Sequence, residues 1–75
     1  MNPQNQKMIR DAILLAADNI KGKLPDSPKH PKGRNPYAHI PKVIMSITGS
    51  SYKDLTDDYF DIVMEIIDLC ERKPF

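Results

Sequence analysis

The side chains best suited to chemistry in this 75-residue chain are His30, His39, Cys70 and the acids of its last third. Imidazole and thiolate bind transition metals, but only at spacings that bring several ligands together. His30 and His39 lie nine positions apart with prolines between them, and Cys70 is remote from both. No pair has ligand spacing, so neither a metal nor any other cofactor is expected. Cys70 falls on an apolar stripe, where a cysteine behaves as a small hydrophobe rather than a nucleophile. Gly49-Ser50-Ser51 lacks the strand-to-nucleophile-to-helix setting of a serine hydrolase and reads as a helix exit. Asp58 with Asp61, and Asp61 with Glu65, are neighbours on one helical surface, but without a pocket they read as a solvated face, not an acid–base pair. The expectation is a protein that is not an enzyme and takes no small-molecule substrate.

Charge offers a different chemistry. Residues 1–42 hold eight cations against three acids, a balance of +5, while residues 43–75 hold three cations against seven acids, a balance of −4. Such a split suits head-to-tail pairing or a partner of defined sign, although solvated helix faces explain most of the charges as well. In the stretch His30 to Lys42, the cations Lys32, Arg34 and Lys42 surround Tyr37 and two histidines, with Lys29 just before. Cations around an aromatic can grip phosphates and stack a base. A helix-turn-helix turning at Gly49 fits less well, because its reading helix would begin Thr56-Asp57-Asp58 and repel DNA.

The elements that must position these residues follow from periodicity. Asn2-Pro3 reads as a cap followed by a first-turn proline. Ile9, Ala12, Ile13, Ala16, Ala17 and Ile20 then recur at helical spacing, with Met8 and Leu15 beside them, and Gly22 stops the run. A first helix is expected over 1–22. A proline-rich linker follows over 23–35, where Pro25, Pro28 and Pro31 fall at every third position; a polyproline ligand is the alternative reading. Asn35-Pro36 repeats the cap-then-proline signal. Because Pro41 would remove a helical hydrogen bond, the spacing predicts a short turn over Pro36 to His39 and a new helix with Pro41 in its first turn. Val43, Ile44 and Ile47 are its expected buried face, Gly49 its end, and Tyr52 and Leu55 the inward residues of the connector. Thr56 is the expected cap of a last helix carrying Asp57 and Asp58 in its first turn. Its stripe is Phe60, Val63, Met64, Ile67 and Cys70, widened by Ile62, Ile66 and Leu69.

The fold class is therefore all-α: one small helical domain over 1–75, with three main helices and helix–connector–helix over 36–75. A chain this short buries only about 60% of its unfolded surface, and Cys70 as the sole cysteine allows no internal disulfide. A homo-oligomer joined through the wide apolar faces of the first and last helices is expected. The absence of a long apolar run argues against a membrane span, and the single cysteine suits a reducing cytoplasm.

The run Tyr37-Ala38-His39-Ile40-Pro41-Lys42-Val43-Ile44, then Gly49-Ser50-Ser51-Tyr52-Lys53-Asp54-Leu55, then Phe60, Val63 and Ile67, resembles the small helical domain of antirepressor proteins of temperate bacteriophages. The resemblance covers Asn35 to Cys70. It implies a cytoplasmic protein of a bacterial host that binds a phage repressor stoichiometrically, usually as an oligomer, and blocks its operator binding. Prophage genes would then be released for lytic growth. On this reading the partner-binding residues are Arg34, Tyr37, His39, Tyr52 and Lys53, with Asp57, Asp58 and Asp61 behind them. Tyr37 would be the aromatic anchor, and Arg34 and Lys53 would supply charge complementarity. Tyr52 has a core reading of equal weight. The alternative function is a small DNA-binding transcriptional regulator using the basic loop 29–42.

Overall fold

Two Asn-Pro pairs start two of the three helices. In the computed structural model, which describes residues 1–23 and 35–73, the Asn2 side-chain oxygen accepts the Asn5 N–H at 2.7 Å. The Asn35 side-chain oxygen accepts the Tyr37 N–H at 2.9 Å. Each satisfies a donor that the first turn leaves orphaned, and each following proline has no N–H to waste. Helix α1 spans Pro3–Ile20 and helix α2 spans Pro36–Thr48. Helix α2 ends at Gly49, whose φ of +82° lets its N–H turn back to the Met45 carbonyl at 2.8 Å. Two 3₁₀ turns follow, Tyr52–Asp54 and Asp57–Tyr59, and the second runs straight into helix α3, Phe60–Arg72. The described residues are helical with no strand. None of their helices is long and apolar enough to cross a membrane. The proline-rich stretch 24–34 and residues 74–75 lie outside the described residues, and with them the linker expected there.

Three expectations need correction. Helix α2 is continuous through Pro41, instead of restarting there. Pro41 cannot donate to the Tyr37 carbonyl, but only that one bond is missing, and it lies within the first two turns. Burial of Pro36, His39, Ile40, Val43 and Ile44 along one stripe offsets it. That stripe sits a turn earlier than Val43-Ile44-Ile47 implied, and it leaves Ile47 57% exposed. Thr56 makes no side-chain cap. The turn after it is tightened, with the Tyr59 N–H on the Thr56 carbonyl at 3.0 Å, and the α-helical part begins only at Phe60.

Polar contacts at both ends fix the topology. The Asn2 N–H donates to Asp57 Oδ1 at 2.8 Å, and Asn19 Nδ2 donates to Glu71 Oε2 at 2.6 Å. The start of α1 therefore meets the approach to α3, and the two ends also meet, so these helices run parallel. The Tyr37 hydroxyl donates to Asp18, which places the first turn of α2 against the last turn of α1 and makes that pair antiparallel. The core lies between them. Ile9, Ile13, Ala16, Ala17 and Ile20 of α1 pack with Ile40, Val43 and Ile44 of α2, Leu55 of the connector, and Val63, Ile66, Ile67 and Cys70 of α3. Ala16 and Ala17 are small enough to let the neighbouring helices approach α1 closely. Buried aliphatic side chains of this size stabilise by roughly 1.5–3 kcal/mol each against exposure, so this one core holds every surface described below.

Candidate partner-binding groove

Helix α1, the first half of α2 and the first 3₁₀ turn diverge to leave an open groove of about 740 Å³. Helix α1 contributes Lys7, Arg10 and Leu14 at three- and four-residue spacing, on the flank beside its buried stripe. Helix α2 contributes Tyr37 and Pro41, and the turn contributes Tyr52 and Lys53. The Ser51 hydroxyl accepts the Lys53 N–H at 3.4 Å and starts that turn. Tyr52 is partly buried and packs on the core while also lining the groove.

Cations outnumber acids in the lining. Lys7, Arg10 and Lys53 line the groove against one acid, Asp11, which Lys7 contacts at 3.2 Å in full solvent. Exposed pairs of that kind are worth a few tenths of a kcal/mol and leave Lys7 free to exchange partners. At the far end Tyr37 is held by Asp18. That hydrogen bond first, then desolvation and the Asp18 charge, push the Tyr37 hydroxyl above its ordinary pKa. Two aromatic rings, a proline ring and Leu14 among three cations suit an amphipathic segment with acidic edges. Among the described residues no three of His, Cys, Asp and Glu gather to hold a metal. Cys70 is fully buried, and burial pushes its thiol pKa up, away from nucleophilic use.

The fold thus brings together Tyr37, Tyr52 and Lys53 of the residues expected at a partner interface. His39 does not join them. It is 9% exposed, on the core-facing stripe of α2. Asp57 is occupied at the start of α1, where it accepts the Asn2 N–H and, at 3.1 Å, Asn5 Nδ2. Those bonds, the Asn2 N–H foremost, hold its carboxyl below the ordinary carboxylate range. Asp58 and Asp61 are exposed on the approach to α3 and its first turn, apart from the groove lining. Arg34 lies outside the described residues. Lys7, Arg10, Leu14 and Pro41 were not anticipated. The signal for the first three was their i, i+3, i+7 spacing next to the α1 stripe, which looked like a solvated flank.

A second surface runs along α3. Ile62, Ile66 and Leu69 form one row, and Asp61, Glu65 and Asp68 form the next, ending at Arg72, which pairs with Asp68 at 2.8 Å. A shallow depression of about 460 Å³ lies over Ile62, Glu65, Ile66, Asp68 and Leu69. No family model, curated protein or solved structure matches the chain.

Proposed function

We propose that the protein acts by binding another protein in the α1–α2 groove, and that it is a phage antirepressor or a related regulator. On this reading it grips a phage repressor stoichiometrically and keeps it from its operator. The observation that carries the binding role is the convergence on one surface of three segments distant in sequence, Lys7 and Arg10, Tyr37, and Tyr52 with Lys53. Tyrosines and an arginine are among the residues that carry most of the affinity at interface centres, and charged groups belong to the rim around them. The repressor as partner rests on the resemblance of Asn35 to Cys70. The protein works as a homo-oligomer in the cytoplasm of a bacterial host and needs no cofactor.

The test has two arms. Tagged protein retained on beads should recover a repressor from lysate of a lysogen, and Lys7→Glu with Lys53→Glu should lose it. The purified protein should then strip that repressor from operator DNA in a gel shift. Failure to recover a repressor, or recovery indifferent to the two reversals, defeats the proposal. The second reading is a small DNA-binding regulator using the basic loop 29–42, of which residues 29–34 lie outside the described residues. It requires the protein alone to shift duplex DNA with steep salt dependence.

A further inference from the structure

The two surfaces of this chain are complementary to one another. The groove presents Lys7, Arg10 and Lys53 against Asp11, a local balance of +2, around Leu14 and the rings of Tyr37 and Tyr52. The outer rows of α3 present Asp61, Glu65 and Asp68 against Arg72, a local balance of −2, beside the exposed Ile62 and Leu69, with the buried Ile66 between them. Their lengths agree as well. From Pro3 to Leu14 the α1 wall of the groove is about 17 Å long, and from Ile62 to Arg72 the α3 face is about 15 Å. The face belongs to a single straight helix with an aliphatic row beside an acidic one, which is the shape and chemistry the groove accepts. Ile62 and Leu69 remain about two-fifths to one-half exposed in the isolated chain, so docking would remove apolar surface from water.

We infer that the occupant of the groove is the α3 face of a second copy of this chain. The two faces of the contact differ, so the association is head-to-tail and each pair still offers one free groove, on one copy, and one free face, on the other. Opposite local charge orients the approach and disfavours face-to-face or groove-to-groove pairing. The inference rests on the groove as a docking surface but not on any repressor. A second copy and an outside partner would compete for the same residues, so partner capture would weaken as self-association rises.

Light scattering of the purified full chain over a concentration series tests this. Mass should rise with concentration and fall back as salt is added, because the charged rims are exposed. Reversing the face, Glu65→Lys with Asp68→Lys, should abolish the rise. Reversing the groove, Lys7→Glu with Lys53→Glu, should abolish it too. Mixing the two variants should restore association, since each then meets a surface of opposite sign. Unchanged helical circular dichroism shows that the variants fold. If either does not, the neutral pairs Glu65→Gln with Asp68→Asn and Lys7→Gln with Lys53→Gln take their place and should reduce association. A monomer at every concentration into the millimolar range overturns the inference. So does undiminished self-association of the groove variant, which would mean α3 pairs with α3, and so does a mixture that stays monomeric. A monomer that still captures a repressor would sink this inference and the homo-oligomer part of the proposed function while leaving repressor binding in place, and an assembling chain that captures none would sink only the antirepressor reading.

Discussion

The groove and the outer face of α3 are built in opposite ways. The groove needs three segments, with α1, the Tyr37–Pro41 part of α2 and the Tyr52–Lys53 turn all in place. The face needs one helix, and its rows are set by the 3.6-residue repeat alone. Aromatic rings and cations mark the first, aliphatic side chains and acids the second. A surface assembled from distant segments depends on tertiary structure, whereas a one-helix surface keeps its pattern as long as its helix persists. The sequence split maps onto the two surfaces only in part: Lys7 and Arg10 of the basic half line the groove, but its third cation, Lys53, comes from the acidic half.

The largest expected effect removes what the two surfaces share. Ile44 is fully buried where α2 meets the core, and Ile44→Ala should cost about 2–5 kcal/mol through lost transfer energy and the cavity left behind. For so small a core that is a large part of the total stability. Ile62→Ala, on the exposed α3 face, should stay within about 0.5 kcal/mol. Denaturant melts of both variants measure the contrast. Equal losses would mean that Ile62 is covered and that the face is not a free surface.

How much of this was legible beforehand depended on whether the signal was local. The α1 and α3 stripes could be read because Ile9-Ile13-Ala16-Ala17-Ile20 and Val63-Ile67-Cys70 repeat at helical spacing. The caps Asn2 and Asn35 and the stop at Gly49 could also be read, since each acts within a few residues. The path of α2 was obscured by Pro41, whose local penalty argued for a break, while the burial that outweighs it comes from other helices. At His39 position says more than type: its place among Pro36, Ile40, Val43 and Ile44 at helical spacing marks the core-facing stripe, which an imidazole does not announce. The groove itself was illegible, because Lys7 and Tyr52 are neighbours only once the helices pack.

A middle-sized effect should sharpen the contrast between the surfaces. Gly49 holds φ at +82°, and a Cβ there meets nothing within 4 Å. The cost of Gly49→Ala is therefore backbone strain alone, roughly 1–2 kcal/mol for an L-residue in that region. Gly49 directs the chain into the turn that carries Tyr52 and Lys53, while the α3 rows begin beyond the second turn. Amide chemical shifts should move most around Tyr52, Lys53 and the α1 side of the groove, and least from Ile62 to Leu69. Larger shifts along α3 than in the groove would contradict the three-segment account.

The smallest effect concerns a single hydrogen bond at the groove's end. The Tyr37 hydroxyl donates to Asp18, and this raises its pKa because phenolate would both lose the bond and face a carboxylate. A folded-state pKa above the unfolded one means that the bond's contribution to stability is fully present below the ordinary tyrosine value, about 10, and is lost as pH rises through the folded value. Subtracting the phenolate absorbance titration of Tyr37→Phe from that of the wild type isolates this one ring among three tyrosines. Its midpoint should lie above 10 and move back toward about 10 in Asp18→Ala. A midpoint indifferent to Asp18 would mean that the latch is not formed in solution. The α3 face should be unmoved in either case, because no phenol belongs to its rows. A groove rim that loosens at alkaline pH beside a face that does not is the behaviour expected of one surface assembled across helices and another written along one.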